Sequence, residues 1–271
     1  MSSIAFIGGG NMASCIIGGM VANNFDPMQI VVGTPSKGTR DRLSAATGAT
    51  TMADNQAAVA QADIVVLAVK PKVMRQVVED LAPALSHRPI IISVAAGIPV
   101  AALQQWLGAD MPVIRAMPNT PSMVQAGATG LFTQSDLNSE QRSLVDNIFQ
   151  AIGYSCWVDR EDLIDAVIAL SGSGPAYFFL VLEAMQKVAQ ELGLPEQTAQ
   201  ELSLHTALGA SRMAMESGIS AAELRAQVTS PGGTTQAAIK SFQQHGLEDI
   251  FRAAMTSAVE RAQEMSKDFS S

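Results

Sequence analysis

The chain has 271 residues, 48% of them hydrophobic and 15% charged, with a formal net charge of −8. That composition is globular rather than disordered, and the length accommodates one or two domains with substantial cores. An acidic chain without a basic block excludes nucleic acid as the main partner, and an anionic ligand would need a local site because the global field opposes it.

Ile4–Ile7 is a short apolar run that predicts a strand buried on both faces. It leads directly into Gly8-Gly-Gly-Asn-Met-Ala13 and an apolar stretch over residues 12–21. Gly8, Gly10 and Ala13 have the Gly-x-Gly-x-x-Gly/Ala spacing of the dinucleotide-binding fingerprint. The first glycine permits the tight turn, the second lets a pyrophosphate approach the backbone, and the small third residue lets helix and strand pack closely. The pyrophosphate would lie on the free N–H groups at the start of that helix. An ordinary glycine turn is the bland alternative; the strand before and the helix after favour cofactor binding.

The second strand, residues 30–33, runs into Thr34-Pro-Ser36-Lys37, with Arg40 following in a helix over residues 37–47. An Asp or Glu in that region would hold the ribose 2′-hydroxyl of NAD. No acid occurs between Met28 and Arg40. The hydroxyls and cations there suit a 2′-phosphate, hence NADPH with NADH as the weaker alternative. Further strands are expected at 64–69, 90–94 and 113–117, with helices at 56–60, 73–81 and 100–107 between them. That alternation implies right-handed crossovers and a doubly wound, mostly parallel sheet. A strand at 128–132, a helix at 139–151 and a strand at 154–158 extend it. Ala68-Val-Lys-Pro71, Ser93-Val-Ala-Ala-Gly97 and Asn119-Thr-Pro121 each follow a strand, so they fall on the sheet edge where ligands bind in open α/β folds.

After Asp159 the pattern is helical: 163–170, 176–192, 196–216, 221–228, 235–245 and 247–267. The expected division is a Rossmann domain over 1–160 and an all-helical domain over 161–271. Phe178-Phe-Leu-Val-Leu182 is apolar all round its helix, which predicts burial against another chain. Ser230-Pro-Gly-Gly-Thr-Thr235 combines a Pro/Gly turn, a helix start with free N–H groups and three hydroxyls, the makings of a nest for a small carboxylate. Simple helix capping by Ser or Thr is the alternative.

Cys15 and Cys156 match neither a disulfide framework nor a metal motif, and no metal site is expected. His87, His205 and His245 fall near no motif. No signal peptide is expected, nor an uncharged apolar run long enough to span a membrane, so a cytoplasmic protein without a membrane partner is expected.

Six segments together resemble the pyrroline-5-carboxylate reductase family: Phe6–Ala13, Leu67–Pro71, Met117–Pro121, Asp162–Ala166, Leu170–Tyr177 and Val228–Thr235. The resemblance implies a nucleotide-binding domain followed by a helical one, and a homodimer with interlocked helical domains able to associate into a larger ring. It implies NAD(P)H-dependent hydride transfer to the C=N carbon of 1-pyrroline-5-carboxylate, giving L-proline. The nicotinamide would meet the Ser230–Thr235 loop, within one chain or across the subunit boundary. On the cofactor side it implies Gly8, Gly9, Gly10, Asn11, Met12, Thr34, Ser36, Asn55, Ala68, Val69, Lys70, Pro71 and Ala96. On the substrate side it implies Glu161, Ser230, Gly232, Gly233, Thr234 and Thr235, with Thr235 in the catalytic position, bonding the ring nitrogen directly or through a water. An imine is basic enough to arrive in part as iminium, so a site without histidine suffices. β-Hydroxyacid dehydrogenases share the two-domain plan but require a Lys where this chain has Phe178, and an Asn where it has Leu182. A non-catalytic NADPH-sensing protein is the rival of a different class, and it has no need of the Ser230–Thr235 nest.

Overall fold

The apolar runs are unbroken because the sheet they form is covered on both sides. A computed structural model describes residues 2–108 and 111–269. The strands are β1 (Ile4–Ile7), β2 (Ile30–Gly33), β3 (Thr50–Met52), β4 (Ile64–Leu67), β5 (Ile90–Ser93), β6 (Val113–Met117), β7 (Gly127–Thr133) and β8 (Gly153–Trp157). They lie in the order β3-β2-β1-β4-β5-β6-β7-β8. Every neighbouring pair is parallel except β6–β7. The helices threaded among them are α1 (Asn11–Ala22), α2 (Lys37–Thr47), α3 (Asn55–Val59), α4 (Pro71–Leu81), α5 (Val100–Leu107) and α6 (Ser139–Gln150).

Strand side chains alternate between two cores. Ile4, Phe6, Ile64 and Val66 face α1 and α6 through Ile16, Ile17, Ile148 and Phe149. Ala5, Ile7, Val65 and Leu67 face α3, α4 and α5 through Val59, Val78 and Leu103. All of these are fully or almost fully buried, and each large one contributes about 1.5–3 kcal/mol from the hydrophobic effect.

The expected doubly wound, mostly parallel sheet is present, and most boundaries agree within two residues. Strand β3 was not expected. It is three residues long with two threonines, sits at the sheet edge beside β2 and is only half-buried, so it lacks the apolar run that marks the others. β4 ends at Leu67 rather than residue 69, because Ala68 turns there to meet Gly8.

Two compact units divide the chain: Met1–Ser173 with Ser257–Ser271, and Gly174–Thr256. The first therefore reaches beyond residue 160. Helix α7 (Leu163–Val167) buries Ile164 in the α3–α5 core, and Phe269 stacks edge-on against Trp106 with ring centroids 6.3 Å apart. A π-turn, Ile168–Gly172, follows α7, closed by the Ser173 N–H donating to Ile168 O at 2.8 Å.

The second unit is formed by α8 (Gly174–Glu191), α9 (Glu196–Glu216), α10 (Ala221–Gln227), α11 (Thr234–Gln244) and the part of α12 (Leu247–Lys267) up to Thr256. Within it Gln186 of α8 donates to Ser203 of α9 at 2.9 Å. Its buried residues are Gly174, Ala199 and Ser203. Phe178, Phe179 and Leu180 are each about two-thirds exposed. The helical run 163–191 has a mean hydropathy of 1.5 and passes a length-and-composition test for a membrane span, a run longer than the sequence pattern suggested because the π-turn joins α7 to α8.

Candidate active site

The glycine loop follows from its backbone requirements. Gly8 has φ +98, and a Cβ there would stand 2.6 Å from Ala68 O, so only glycine fits. Gly9 is hemmed in by Thr39 and Leu43 of α2, where an added Cβ would collide at 2.5 and 2.6 Å. Gly10 is the N-cap of α1 without a side-chain cap, and a Cβ there would meet nothing within 4 Å. The open side of Gly10 lies beside the uncapped N–H groups of α1, where the sequence pattern leads one to expect a pyrophosphate. Ala13 is fully buried against the sheet.

The other expected cofactor residues lie along the same carboxyl edge of the parallel strands. Thr34 follows β2 and is buried, and its N–H donates to Met52 O at 3.0 Å. Ser36 caps α2 by accepting from the Thr39 N–H. Asn55 opens α3, and its Oδ1 is buried with no hydrogen-bond partner. That orphaned oxygen lies 2.8 Å from where a Cβ on Gly33 would be, at the end of β2, and as an acceptor it suits a hydroxyl donor such as a ribose offers rather than a phosphate. Ala68, Val69, Lys70 and Pro71 link β4 to α4, with Lys70 as N-cap and Pro71 at the first helical position. Ala96 lies between β5 and α5.

The cations near Thr34 and Ser36 are already engaged. Lys37 pairs with Asp41 at 2.7 Å, both well exposed, a contact worth little in water. Arg40 wraps the turn, its Nη1 donating to Thr34 O at 2.7 Å and Pro35 O at 2.8 Å. Arg42, which sequence reasoning did not single out, donates to Gly9 O at 3.3 Å.

In the second unit, Ser230–Gly233 is a tight turn. The Gly233 N–H donates to Ser230 O at 3.0 Å and Gly232 takes φ +72. Pro231 before a left-handed Gly232 is the type II pattern. Gly233 is the N-cap of α11, with no side-chain cap. Neither threonine is therefore consumed as a cap, and the first N–H groups of α11, including those of Thr234 and Thr235, have no intrahelical acceptor. The Gly232 N–H donates to Gln236 Oε1 at 2.8 Å, which braces the turn. A hollow of about 690 Å³ borders Gly232 and Gly233 and carries Arg225 and Lys240 on its walls; Ser230, Thr234 and Thr235 do not line it.

Glu161 is placed in an ion pair. Its Oε1 accepts from Arg115 Nη1 at 2.9 Å and from the Val100 N–H at 2.8 Å. Arg115 is almost fully buried. Next to it, Asp165 is buried, which raises its carboxyl above the usual range, and the Arg115 charge partly opposes the rise. Arg115 was legible as a lone cation inside the apolar strand Val113–Met117. Asn119 proves structural: its Nδ2 donates to Ser171 O and its Oδ1 accepts from Ala128 N–H, both at 2.9 Å. Burial raises the Cys15 thiol pKa, which suits a packing role. Among the described residues no group of His, Cys, Asp or Glu could hold a metal.

A doubly wound sheet carrying the glycine fingerprint, followed by a helical segment, defines a nicotinamide-dependent oxidoreductase of the Rossmann type. Residues 3–97 match the family model described as NADP oxidoreductase, coenzyme F420-dependent, and residues 161–265 match that of pyrroline-5-carboxylate reductase dimerisation. A pyrroline-5-carboxylate reductase of Pseudomonas aeruginosa is 46% identical over 97% of both chains. The solved structure of one from Coxiella burnetii superposes with a TM-score of 0.94 at 47% identity, over 98% of each chain. One from Plasmodium falciparum with NADP bound gives a TM-score of 0.86 at 27% identity, over 98% of each chain. The chain belongs to the pyrroline-5-carboxylate reductase family.

Proposed function

We propose that the protein reduces 1-pyrroline-5-carboxylate to L-proline with NADPH in preference to NADH. The observation that carries this reading is the Ser230–Thr235 turn, a type II turn leading into a helix whose first N–H groups and threonine hydroxyls are left free. The cofactor would be held by Gly8–Met12 at the pyrophosphate, by Thr34 and Ser36 toward the 2′-phosphate, by Asn55 toward a ribose hydroxyl, and by Ala68–Pro71 and Ala96 toward the nicotinamide. When bound, the reduced nicotinamide supplies the hydride for the imine carbon.

The chain's own groups do the remaining work. Ser230, Thr234 and Thr235 fix the substrate carboxylate by hydroxyl and free backbone N–H donors, and Gly232 and Gly233 shape the turn that presents them, which orients the ring. The proton on the ring nitrogen arrives with the substrate as iminium, so hydride addition at the adjacent carbon completes the amine, and the Thr235 hydroxyl bonds that nitrogen directly or through a water. Glu161 is engaged by Arg115 and Val100, which takes its carboxylate away from the substrate. The exposed apolar faces of α8 and α9 and the match to the dimerisation model support a homodimer built through the helical unit, with closure of such dimers into a larger ring as the next level of assembly. The test is NADPH absorbance with the cyclic imine added. Oxidation that depends on the imine and yields proline supports the reading, and no oxidation overturns it.

A further inference from the structure

We propose that Glu161 and Arg115 are positioning residues for the nicotinamide half of the cofactor site, acting through the loop between β5 and α5. The inference rests on the cofactor reading above. In a doubly wound sheet the two halves each take one mononucleotide. With the order β3-β2-β1-β4-β5-β6, the glycine loop and the 2′-phosphate residues belong to the adenosine half, and the loop after β5 belongs to the nicotinamide half.

That loop is pinned at both ends and at its bend. Its start is held by the Val94 N–H donating to Leu67 O at 3.2 Å. Its bend is Gly97, at φ +78, where a Cβ would stand 3.0 Å from Met265 Cβ. Its end is Val100, the first residue of α5, whose N-cap Pro99 provides no side-chain cap. The missing cap comes from Glu161, which is 61 residues away in sequence. One carboxylate oxygen thus receives both the Val100 N–H and the Arg115 guanidinium.

Stability alone is a poor reason for this arrangement. Arg115 lies on an otherwise apolar strand, opposite Ser93 of β5 and Phe132 of β7. A buried ion pair there is commonly no more stabilising than apolar residues of the same volume. What it adds is direction: a charge-assisted hydrogen bond fixes where the carboxylate, and therefore the start of α5, must sit. Ala96, partly exposed in the middle of the loop, is held in place from both sides.

The test compares two nucleotides, NADP⁺ and adenosine 2′,5′-bisphosphate, which is its adenine half alone. In the double variant Arg115→Met/Glu161→Leu neither member of the pair is left without the other, and Asp165, whose burial already favours its neutral form, loses the Arg115 charge that opposed it. Loss of the tether should raise the Kd for NADP⁺ about tenfold, the equivalent of one lost contact, and leave the Kd for the bisphosphate unchanged. Glu161→Gln keeps an acceptor oxygen for Val100 and removes the charge. It should weaken NADP⁺ by about threefold, a fraction of one charge-assisted bond, again without touching the bisphosphate. Equal weakening of both nucleotides, or no change in either, would assign the pair to the fold alone and overturn the proposal. A wild-type protein that binds neither nucleotide overturns the cofactor reading itself, an outcome distinct from any change confined to the variants.

Discussion

The two units are similarly apolar in sequence and opposite in burial. Every residue of β1 is fully buried, whereas Phe178, Phe179 and Leu180, an equally apolar run, remain about two-thirds exposed. A hydrophobic pattern reports what is buried in the finished assembly, not what a single chain buries by itself. The sheet unit completes its core with its own helices. The helical unit buries little and carries a match to a dimerisation model, so its apolar faces call for a second copy.

Four substitutions or measurements sharpen that contrast. The largest effect is expected from one phenylalanine in each unit. Phe6→Ala should cost about 3–5 kcal/mol of folding stability, read by denaturant unfolding and independent of protein concentration. Phe178→Glu should instead lower the assembled mass by light scattering and make the melting temperature depend on concentration. An unchanged mass for Phe178→Glu would remove the contrast. Next, Thr235→Ala should reduce turnover about 10- to 100-fold, the worth of one donor that strengthens in the transition state. Thr235→Ser should recover much of it. Because Gly233 is the N-cap, the melting temperature of Thr235→Ala should stay near wild type; a lower one with normal kinetics would restore the capping interpretation.

How far this was legible in the sequence differs between the units for the same reason. Parallel strands covered on both faces leave unbroken apolar runs, and Gly8, forced by the approach of Ala68, belongs to a spacing that marks the end of the first strand, so the sheet could be read directly. The edge strand Thr50–Met52 could not, since half-burial of three residues leaves no periodicity. The Ser230–Thr235 turn was readable because Pro231 and Gly232 specify it locally. The joining of Glu161 to Val100 and Arg115 was not, because long-range pairing has no local signature; the lone Arg115 inside an apolar strand was its one trace.

The cofactor half offers the third measurement. With no acid between Met28 and Arg40, NADPH should exceed NADH in kcat/KM by about tenfold, the worth of one charge-assisted hydrogen bond. Equal efficiency would detach Thr34 and Ser36 from the phosphate. The smallest effect concerns Asp165, whose carboxyl is raised by burial. A folded-state value above the unfolded one means the contribution is favourable in acid and is lost as pH rises through the folded value. Asp165→Asn should therefore raise the melting temperature slightly at neutral pH, and the gap should vanish in acid. A destabilised Asn variant at neutral pH would show instead that the ionised form is needed beside Arg115.

The most direct measurement is steady-state NADPH oxidation by the wild-type protein with 1-pyrroline-5-carboxylate as the variable substrate. Saturable, imine-dependent oxidation with stoichiometric proline is the predicted result. A protein that binds NADPH tightly and leaves it unoxidised at every imine concentration would contradict the account.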